Sequence, residues 1–230
     1  MIRSLMIFLA SLLVVAMTRR EAHAQTPFPS VDELPTIDKL PDPFQFFGSE
    51  RRVKDHKDWE VRRAEMLRLV EHYVSGPTFP QTQNAKLENL QSKKVYNGKA
   101  THHTAKLVMG PDHAIKCTFE YVVPNTDGPK PLLFYICPKS EYAEETIPWR
   151  ERIIDRGYTI VWVIVGQFNG YKDHGPVKDA FPEVKGNTMM AWVWGINEVI
   201  HYLDRAHKID NVIVTGTSVS YTHLRAHETR

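Results

Sequence analysis

The segment NVIVTGTS at Asn211–Ser218 constrains the fold more than any other part of this chain. The apolar, β-branched run Val212–Thr215 predicts a strand, and Gly216-Thr217-Ser218 follows it directly. This is the first half of a G-x-S-x-G nucleophile elbow, a sharp strand-to-helix turn that presents a serine hydroxyl to a substrate. Because such a turn lies at the end of a strand in an α/β sheet, the segment predicts an α/β fold with Ser218 as the candidate nucleophile.

The second half of the elbow does not follow in this sequence. The string VSYTHLRAHET, Val219–Thr229, matches the translation of a transposase-type sequencing adaptor in all eleven residues. We therefore expect residues 219–230 to be non-native, and the last two bases of the Ser218 codon to come from the adaptor. The remaining base, T, is the first base of the TCN serine codons, so it agrees with a native serine at residue 218, which the elbow context favours. His223 and His227 have a helical metal-ligand spacing but lie inside the adaptor match, so we expect no metal site there.

The amino terminus has the pattern of an export signal. Arg3 precedes the 13-residue apolar run Leu5–Met17, and Ala22-His23-Ala24 provides a small-x-small cleavage site. Because a membrane-spanning helix needs about 20 apolar residues, residues 1–24 predict a cleaved signal peptide. The charges at residues 19–21 leave an uncleaved anchor as the alternative. In either case we expect a secreted or periplasmic protein.

Composition excludes some functions and leaves others open. The chain has 230 residues, a size that suits one domain or part of one, and a formal net charge of +2, which does not favour a nucleic-acid partner. Export makes a disulfide between Cys117 and Cys137 possible. Each cysteine lies in a predicted strand, and we do not expect those strands to be neighbours, so two buried thiols are the preferred interpretation.

The first half of the chain predicts a lead-in, a helix and a β region. Residues 25–57 are rich in proline and polar residues and predict an extended lead-in before the domain portion at 58–218. Helical spacing of apolar residues predicts an amphipathic helix over Asp58–Val74, with Arg62 on its polar face and Gly76-Pro77 as its stop. Three strands are expected after it, at Ser92–Tyr96, Ala100–Val108 and Ile115–Val123, with a hairpin turn at Asn97-Gly98 and with His102 and His103 on opposite faces as surface or half-buried residues.

From Lys130 the predicted elements alternate between strand and helix. The expected elements are strand Leu132–Cys137, a helix at Ala143–Arg156 broken near Pro148, strand Tyr158–Val165, helix Thr188–His207 and strand Val212–Thr215. Continuous apolar runs of this kind are typical of strands buried on both faces. The alternation therefore predicts a parallel sheet with helices on both sides.

The connection Gly166–Asn187 is long for a unit of this kind, at 22 residues. It leaves the carboxyl end of a parallel strand, which is where such folds bind ligands. An ordinary surface loop is an equally good interpretation. The polar residues that could line a carbohydrate pocket are Gln167, Asn169, Tyr171, Asp173 and His174.

A serine nucleophile needs partners that this sequence does not supply. Its proton must pass to a histidine that a carboxylate orients, and the order Ser, acid, His places both partners after Ser218. The oxyanion hole takes one backbone N–H from the residue after the serine and another from a loop after an earlier strand. That loop corresponds to Pro138–Ser140, and because proline has no N–H, Lys139 and Ser140 are the candidate donors.

Several segments together resemble the bacterial glucuronoyl esterase family of carbohydrate esterases. They are LPDPFQFF (Leu40–Phe47), DWEVRRAEMLRLVEHYVSG (Asp58–Gly76), NGKATHHTAKLVM (Asn97–Met109) and MMAWVWGINEVIHYLDRAHKIDNVIVTGTS (Met189–Ser218). The resemblance implies the N-terminal portion of an α/β-hydrolase-type three-layer sandwich, with a mainly parallel sheet preceded by an antiparallel β region. It also implies a cofactor-free Ser-His-acid mechanism that cleaves the ester between methyl-glucuronic acid on xylan and lignin alcohols.

The match to the family elbow is incomplete. The family reads G-x-S-R-x-G-K, and only Gly216, Thr217 and Ser218 match it, since Val219–Thr222 replace the rest. We expect the chain as written to be inactive, and its intact form to be a monomer with a carbohydrate ester as substrate, no nucleic-acid partner and no membrane contact after signal cleavage. An acetyl-xylan esterase or other exported esterase, and a non-catalytic carbohydrate-binding relative, remain alternatives.

Overall fold

The computed structural model describes residues 28–137, 148–170 and 172–216. The chain divides into two units, Met1–Pro41 and Asp42–Arg230. In the first unit, the described residues 28–41 contain one 3₁₀ turn, Val31–Glu33, and Ser30 and Glu33 form a capping box at its start. The predicted signal peptide lies outside the described residues. In the described part of the chain, no helix has the length and hydropathy needed to cross a bilayer.

The second unit is built on a six-stranded sheet with helices on both faces. Its described helices are α1 (His56–Val70), α2 (Pro148–Ile154), α3 (Pro176–Ala180) and α4 (Thr188–His207). Its described strands are β1 (Lys86–Val95), β2 (Ala100–Met109), β3 (Ile115–Pro124), β4 (Lys130–Cys137), β5 (Thr159–Ile164) and β6 (Ile209–Gly216). The predicted helix at Ala143–Arg156 is confirmed from Pro148 onward, and residues 143–147 lie outside the described residues.

Helix α1 starts two residues before the predicted Asp58, and the rest of the predicted span to Val74 lies in a π-helical turn, Glu71–Ser75. Asp55 caps α1 by accepting a hydrogen bond from the Asp58 N–H, and after the π-helical turn the chain leaves it at Gly76, whose φ is 68°. The prediction of Arg62 on the polar face is wrong, since the residue is only 5% exposed. It is buried because its guanidinium donates to the Pro43 carbonyl oxygen at 3.1 Å and pairs with the Glu65 carboxylate.

The strand order β1-β2-β3-β5-β4-β6 confirms a mixed sheet with two halves. The antiparallel pairs are β1 with β2, β2 with β3, and β3 with β5. Strand β4 pairs in parallel with both β5 and β6. The β1–β2 hairpin turns through Asn97 and Gly98, which have φ of 53° and 83°, as the sequence predicts. Because β5 separates β3 from β4, the two cysteine-bearing strands are not neighbours, and Cys117 is a buried free thiol.

Two hydrophobic layers lie on opposite faces of the sheet, which gives the predicted three-layer arrangement. Helix α4 covers one face, where its residues pack against alternate residues of β4 and β5 such as Phe134 and Val161. Helix α2 covers the other face through Ile154, against Ile160 and Trp162. Alternation along β4 and β5 therefore supplies two cores, as expected of strands that are buried on both sides.

The two adjacent histidines of β2 lie on opposite faces, as predicted. His103 is half-buried, stacks on Tyr121 at a centroid distance of 4.6 Å, and has its Nδ1 2.7 Å from the Ser92 hydroxyl. His102 is buried rather than at or near the surface, so that part of the prediction is wrong. It is tolerated in the interior because its Nε2 lies 2.9 Å from a Glu120 carboxylate oxygen.

Candidate active site at the carboxyl edge of the parallel strands

The carboxyl ends of the three parallel strands meet at one edge of the sheet. In the register of the sheet, Cys137 of β4 pairs with Ile164 of β5, and Ile136 pairs with Gly216 of β6. The chain segments that follow these strands therefore start side by side. In open α/β sheets this edge is where ligands bind, so it is the candidate active site.

The three strand ends lead to the residues that sequence analysis selects for catalysis. Ser218 follows β6 by two residues, and Lys139 and Ser140 follow β4 by two and three residues. All three lie outside the described residues, as does the tail at 219–230. Their catalytic and oxyanion roles, and the non-native origin of that tail, stay predictions, and the register shows only that both segments leave the same edge.

The segment after β5 is a structured loop, which we call the rim loop and define as residues 165–170 and 172–187. It starts with a 3₁₀ turn, Val165–Gln167, and contains the short helix α3. Its apolar residues Phe168, Val177 and Phe181 are buried in the core beneath α4. The length of the connection is therefore used to pack the loop onto the domain rather than to extend it into solvent.

Gln167 fastens the rim loop to the sheet. Its Nε2 donates to the carbonyl oxygens of Thr118 at 2.8 Å and Ile164 at 3.0 Å, and its Oε1 accepts from the Thr118 N–H at 2.7 Å. The amide thus replaces one residue pair of the β3–β5 ladder, and both of its donor hydrogens are used within the protein. Its position is that of an anchor, and contact with a substrate stays a prediction.

Asn169 occupies an interior position in the same loop. It has 0% exposed surface, its Nδ2 donates to the Thr188 hydroxyl at 2.9 Å, and its backbone carbonyl oxygen accepts from the Trp192 indole N–H at 2.8 Å. A Cβ at Gly175 would lie 2.9 Å from the Asn169 Cα, so only glycine fits beside it. Asn169 is therefore a residue that shapes the loop, not one that lines an open pocket in this structure.

Of the selected residues that the structure describes, Asp173 and His174 are the exposed ones, and Tyr171 lies outside the described residues. The Asp173 Oδ2 lies 2.7 Å from the Lys178 ammonium, and its Oδ1 accepts from the Thr188 hydroxyl at 2.9 Å. The hydrogen bond from Lys178, followed by the weaker effect of Thr188, holds the pKa of the Asp173 carboxyl below its usual range. His174 is exposed, and its carbonyl oxygen accepts from the Gly170 N–H at 2.8 Å. The structure thus joins Asp173 with Thr188 and Lys178, two residues that sequence analysis missed.

The histidines of α4 are too far from the candidate site to act on a serine there. Helix α4 starts at Thr188 beside the rim loop and runs back toward the start of β6. At a rise of about 1.5 Å per residue, His201 lies roughly 20 Å and His207 roughly 28 Å along the helix from that end. That the catalytic histidine follows Ser218 stays a prediction.

A separate open cavity of about 640 Å³ lies between the second half of α4 and the first half of β6. Its lining includes His201, Asp204 and Asp210. Because the cavity lies toward the amino end of β6, it is distant from the edge of the sheet where β6 ends at Gly216 and β5 ends at Ile164. Its volume alone does not make it the candidate active site.

No protein-family model matches the chain. Among curated proteins, it is 26% identical over 200 residues to a 4-O-methyl-glucuronoyl methylesterase of Phanerochaete carnosa, a match that covers 79% of this chain and 43% of the relative. Among solved structures, it superposes on a glucuronoyl esterase from Solibacter usitatus with a TM-score of 0.66 at 22% identity, covering 86% of this chain and 62% of that one.

A second solved structure has the same fold. A CE15 glucuronoyl esterase from Teredinibacter turnerae superposes with a TM-score of 0.60 at 17% identity, over 82% of this chain and 53% of that one. The chain thus spans less than half the length of the curated relative and about three fifths of the Solibacter protein. It is similar in sequence to a glucuronoyl methylesterase and has the α/β-hydrolase fold of the CE15 glucuronoyl esterases.

Proposed function

We propose that the full-length protein is an exported serine esterase that hydrolyses esters of 4-O-methyl-glucuronic acid on xylan, with Ser218 as its nucleophile. The similarity to a glucuronoyl methylesterase and the shared fold support the reaction and the substrate class. The elbow sequence Gly216-Thr217-Ser218 supports the serine, and the amino-terminal pattern supports export.

The observation that carries this proposal is the meeting of the three carboxyl ends of β4, β5 and β6. The segment that carries Ser218 follows β6, the strand beside β4, so it starts next to the segment that begins after Cys137. We propose that an ester binds at this edge, with Ser218 as the nucleophile and Lys139 or Ser140 as the candidate backbone donors. This is the arrangement that acyl transfer requires, because the donors must face the oxygen that becomes negative.

The proposed reaction has the two usual stages of serine esterases. The Ser218 Oγ attacks the ester carbonyl carbon while a histidine takes its proton, and the negative charge that develops on the carbonyl oxygen is held by the backbone donors. The alcohol leaves with that proton, and water then hydrolyses the acyl-enzyme. The histidine and its orienting acid are expected from native sequence that follows Ser218.

The first test is to sequence the source locus through codon 218 and express the full-length protein that it encodes. We expect the elbow to continue as G-x-S-R-x-G-K, and the protein to hydrolyse methyl and benzyl esters of glucuronic acid. The Ser218→Ala variant should lose about four orders of magnitude or more in kcat at unchanged stability. Hydrolysis of acetylated xylan without any glucuronate esterase activity would support the acetyl-xylan esterase alternative instead.

A genomic sequence that encodes VSYTHLRAHET and then stops would contradict the proposal directly. The chain would then contain Ser218 without the downstream acid and histidine that the mechanism needs. Export is tested separately. The mature protein recovered outside the cytoplasm should begin at Gln25, whereas an intact Met1 in a membrane fraction would support the uncleaved anchor.

A further inference from the structure

The described part of the rim loop turns polar groups outward and aromatic groups inward. Phe168 and Phe181 are buried in the core, whereas Lys172, Asp173 and His174 are exposed. Aromatic alcohols are bound mainly by apolar and aromatic surfaces, while sugar hydroxyls need hydrogen-bond donors and acceptors. The outward face of this turn therefore has the chemistry of a sugar-binding surface.

The Asp173 carboxylate retains free acceptor capacity after its contacts within the protein. Its oxygens accept from Lys178 and from the Thr188 hydroxyl, and the Thr188 backbone N–H adds a weaker contact, whereas a carboxylate has about four acceptor positions. The side chain is 55% exposed, so the remaining acceptor positions face solvent. Hydroxyl groups of a sugar could donate to them, and the adjacent imidazole of His174 could donate or accept beside them.

The turn is also held in place before any ligand arrives. The Thr188 hydroxyl joins the buried Asn169 to the Asp173 carboxylate, and the Gly170 N–H donates to the His174 carbonyl oxygen. Asp173 has a φ of 59°, a left-handed conformation that is uncommon for most residues but that aspartate adopts more readily. A surface fixed in this way loses little conformational entropy when it binds a ligand.

We propose that the Asp173–His174 turn is a subsite for the xylan chain, which binds hydroxyls of a xylose unit next to the glucuronate whose ester is cleaved. It does not contact the alcohol half of the ester. The inference rests on the proposed function and adds to it the part of the substrate that the rim loop recognises. Thr188 is a positioning residue in this account, because it acts through the Asp173 carboxylate.

The test compares two substrates of the full-length protein that carry the same alcohol. One is benzyl glucuronate, and the other is the benzyl ester of a glucuronic acid attached to a xylo-oligosaccharide. We expect Asp173→Ala to raise KM for the oligosaccharide ester about tenfold, the equivalent of one hydrogen bond to a charged group, with kcat unchanged. Both constants for benzyl glucuronate should stay at wild-type values. Asp179→Ala is the matched control, an exposed carboxylate of the same loop on α3.

Further variants distinguish the loss of a contact with the xylose unit from the loss of the conformation of the rim loop. His174→Ala leaves the backbone contacts of the turn in place and should raise the same KM several-fold. Thr188→Val should also raise it, Thr188→Ser should restore it, and Thr104→Val on β2 should leave it unchanged. An equal effect of Asp173→Ala on both substrates, or no effect on either, would overturn the subsite.

Direct binding distinguishes failure of this inference from failure of the proposed function. Calorimetric titration of the wild-type protein with the unesterified glucuronoxylo-oligosaccharide should show binding that Asp173→Ala weakens. A protein that cleaves neither ester but binds the oligosaccharide through Asp173 would refute the esterase and support the subsite. A protein that cleaves benzyl glucuronate yet shows no dependence on Asp173 with the oligosaccharide would support the esterase and refute the subsite.

Discussion

Replacing Gly195 by alanine should destabilise the protein, although alanine is the better helix former. Gly195 lies in the interior of α4, where the ring of Phe168 packs directly on its Cα. A Cβ at residue 195 would lie 2.3 Å from Cγ and 2.4 Å from Cδ1 and Cδ2 of that ring. Carbon atoms in contact are normally about 3.5–4.0 Å apart, so the ring must move by more than about 1 Å.

The magnitude follows from two opposing effects. In an unobstructed helix interior, alanine instead of glycine stabilises by about 1 kcal/mol. Overpacking a core costs about 1–3 kcal/mol, and the upper end applies here because the Phe168 side chain is 0% exposed and has no open space to enter. We expect a net loss of about 2 kcal/mol in the free energy of unfolding, or roughly 4–8 °C in Tm for a protein of this size.

Urea denaturation of wild type and Gly195→Ala measures this change. Gly166→Ala is the matched control, since it lies in the same loop as Phe168 and its Cβ would meet no atom within 4 Å. It should be neutral or more stable by up to about 1 kcal/mol. Phe168→Leu should make the alanine less costly in a double-mutant cycle. A Gly195→Ala protein as stable as wild type would refute the packing argument.

Three further predictions concern buried polar contacts. Glu198, which is 0% exposed, accepts from the backbone N–H groups of Thr82 and Gln83, so Glu198→Ala should cost about 3 kcal/mol in urea denaturation and Glu198→Gln much less. Gln167→Ala should speed hydrogen exchange at the Thr118 amide, because that N–H loses its acceptor. Burial, and then the charges of His207 and His102, lower the pKa of His103 to about 4. In the unfolded chain the pKa of this side chain is near 6.5, so on acidification the unfolded state binds the proton at a higher pH than the folded state does. Stability should therefore fall as pH drops from about 6.5 to about 4.

Each of these predictions has a contrary outcome. If Glu198→Ala and Glu198→Gln were equally stable, the hydrogen bonds that Glu198 accepts would not be the source of its contribution to stability. An unchanged exchange rate at the Thr118 amide would mean that its hydrogen bond to the Gln167 side chain is not formed in solution. Because His103 is only half-buried, solvent screening reduces its contribution to about 1–2 kcal/mol. His103→Gln should flatten stability between pH 7 and pH 4, and an identical slope in wild type and variant would contradict the assignment.

Local signals in the sequence predict several elements closely. Helix α4 has the predicted bounds, Thr188–His207, because apolar residues recur at helical spacing and Asn187 caps its first turn by accepting from the Met190 N–H. The β1–β2 hairpin follows from Asn97-Gly98, since both residues adopt positive φ there. Such features depend on neighbours only a few residues away, which the sequence lists in order.

Burial of polar side chains cannot be predicted in this way. The sequence places Arg62 and His102 outside the core, and the structure buries both, because Pro43, Glu65 and Glu120 supply partners. A polar residue can enter the interior only when a partner meets it there. Whether one does depends on how separate segments pack, and no local pattern records that.

The sequence by itself determined the strand-helix alternation, the bounds of α4 and the elbow half-motif that points to the carboxyl edge of the sheet, but it missed the first six residues of β1, Lys86–Gln91. The tertiary structure alone decided which polar residues of the rim loop face inward. Gln167 forms hydrogen bonds with Thr118, 49 residues away. Asn169 forms hydrogen bonds with Thr188 and Trp192, which are 19 and 23 residues away. Asp173 and His174 stay on the surface. The physical reason is that hydrogen bonds at such separations form only after the sheet and α4 have packed together.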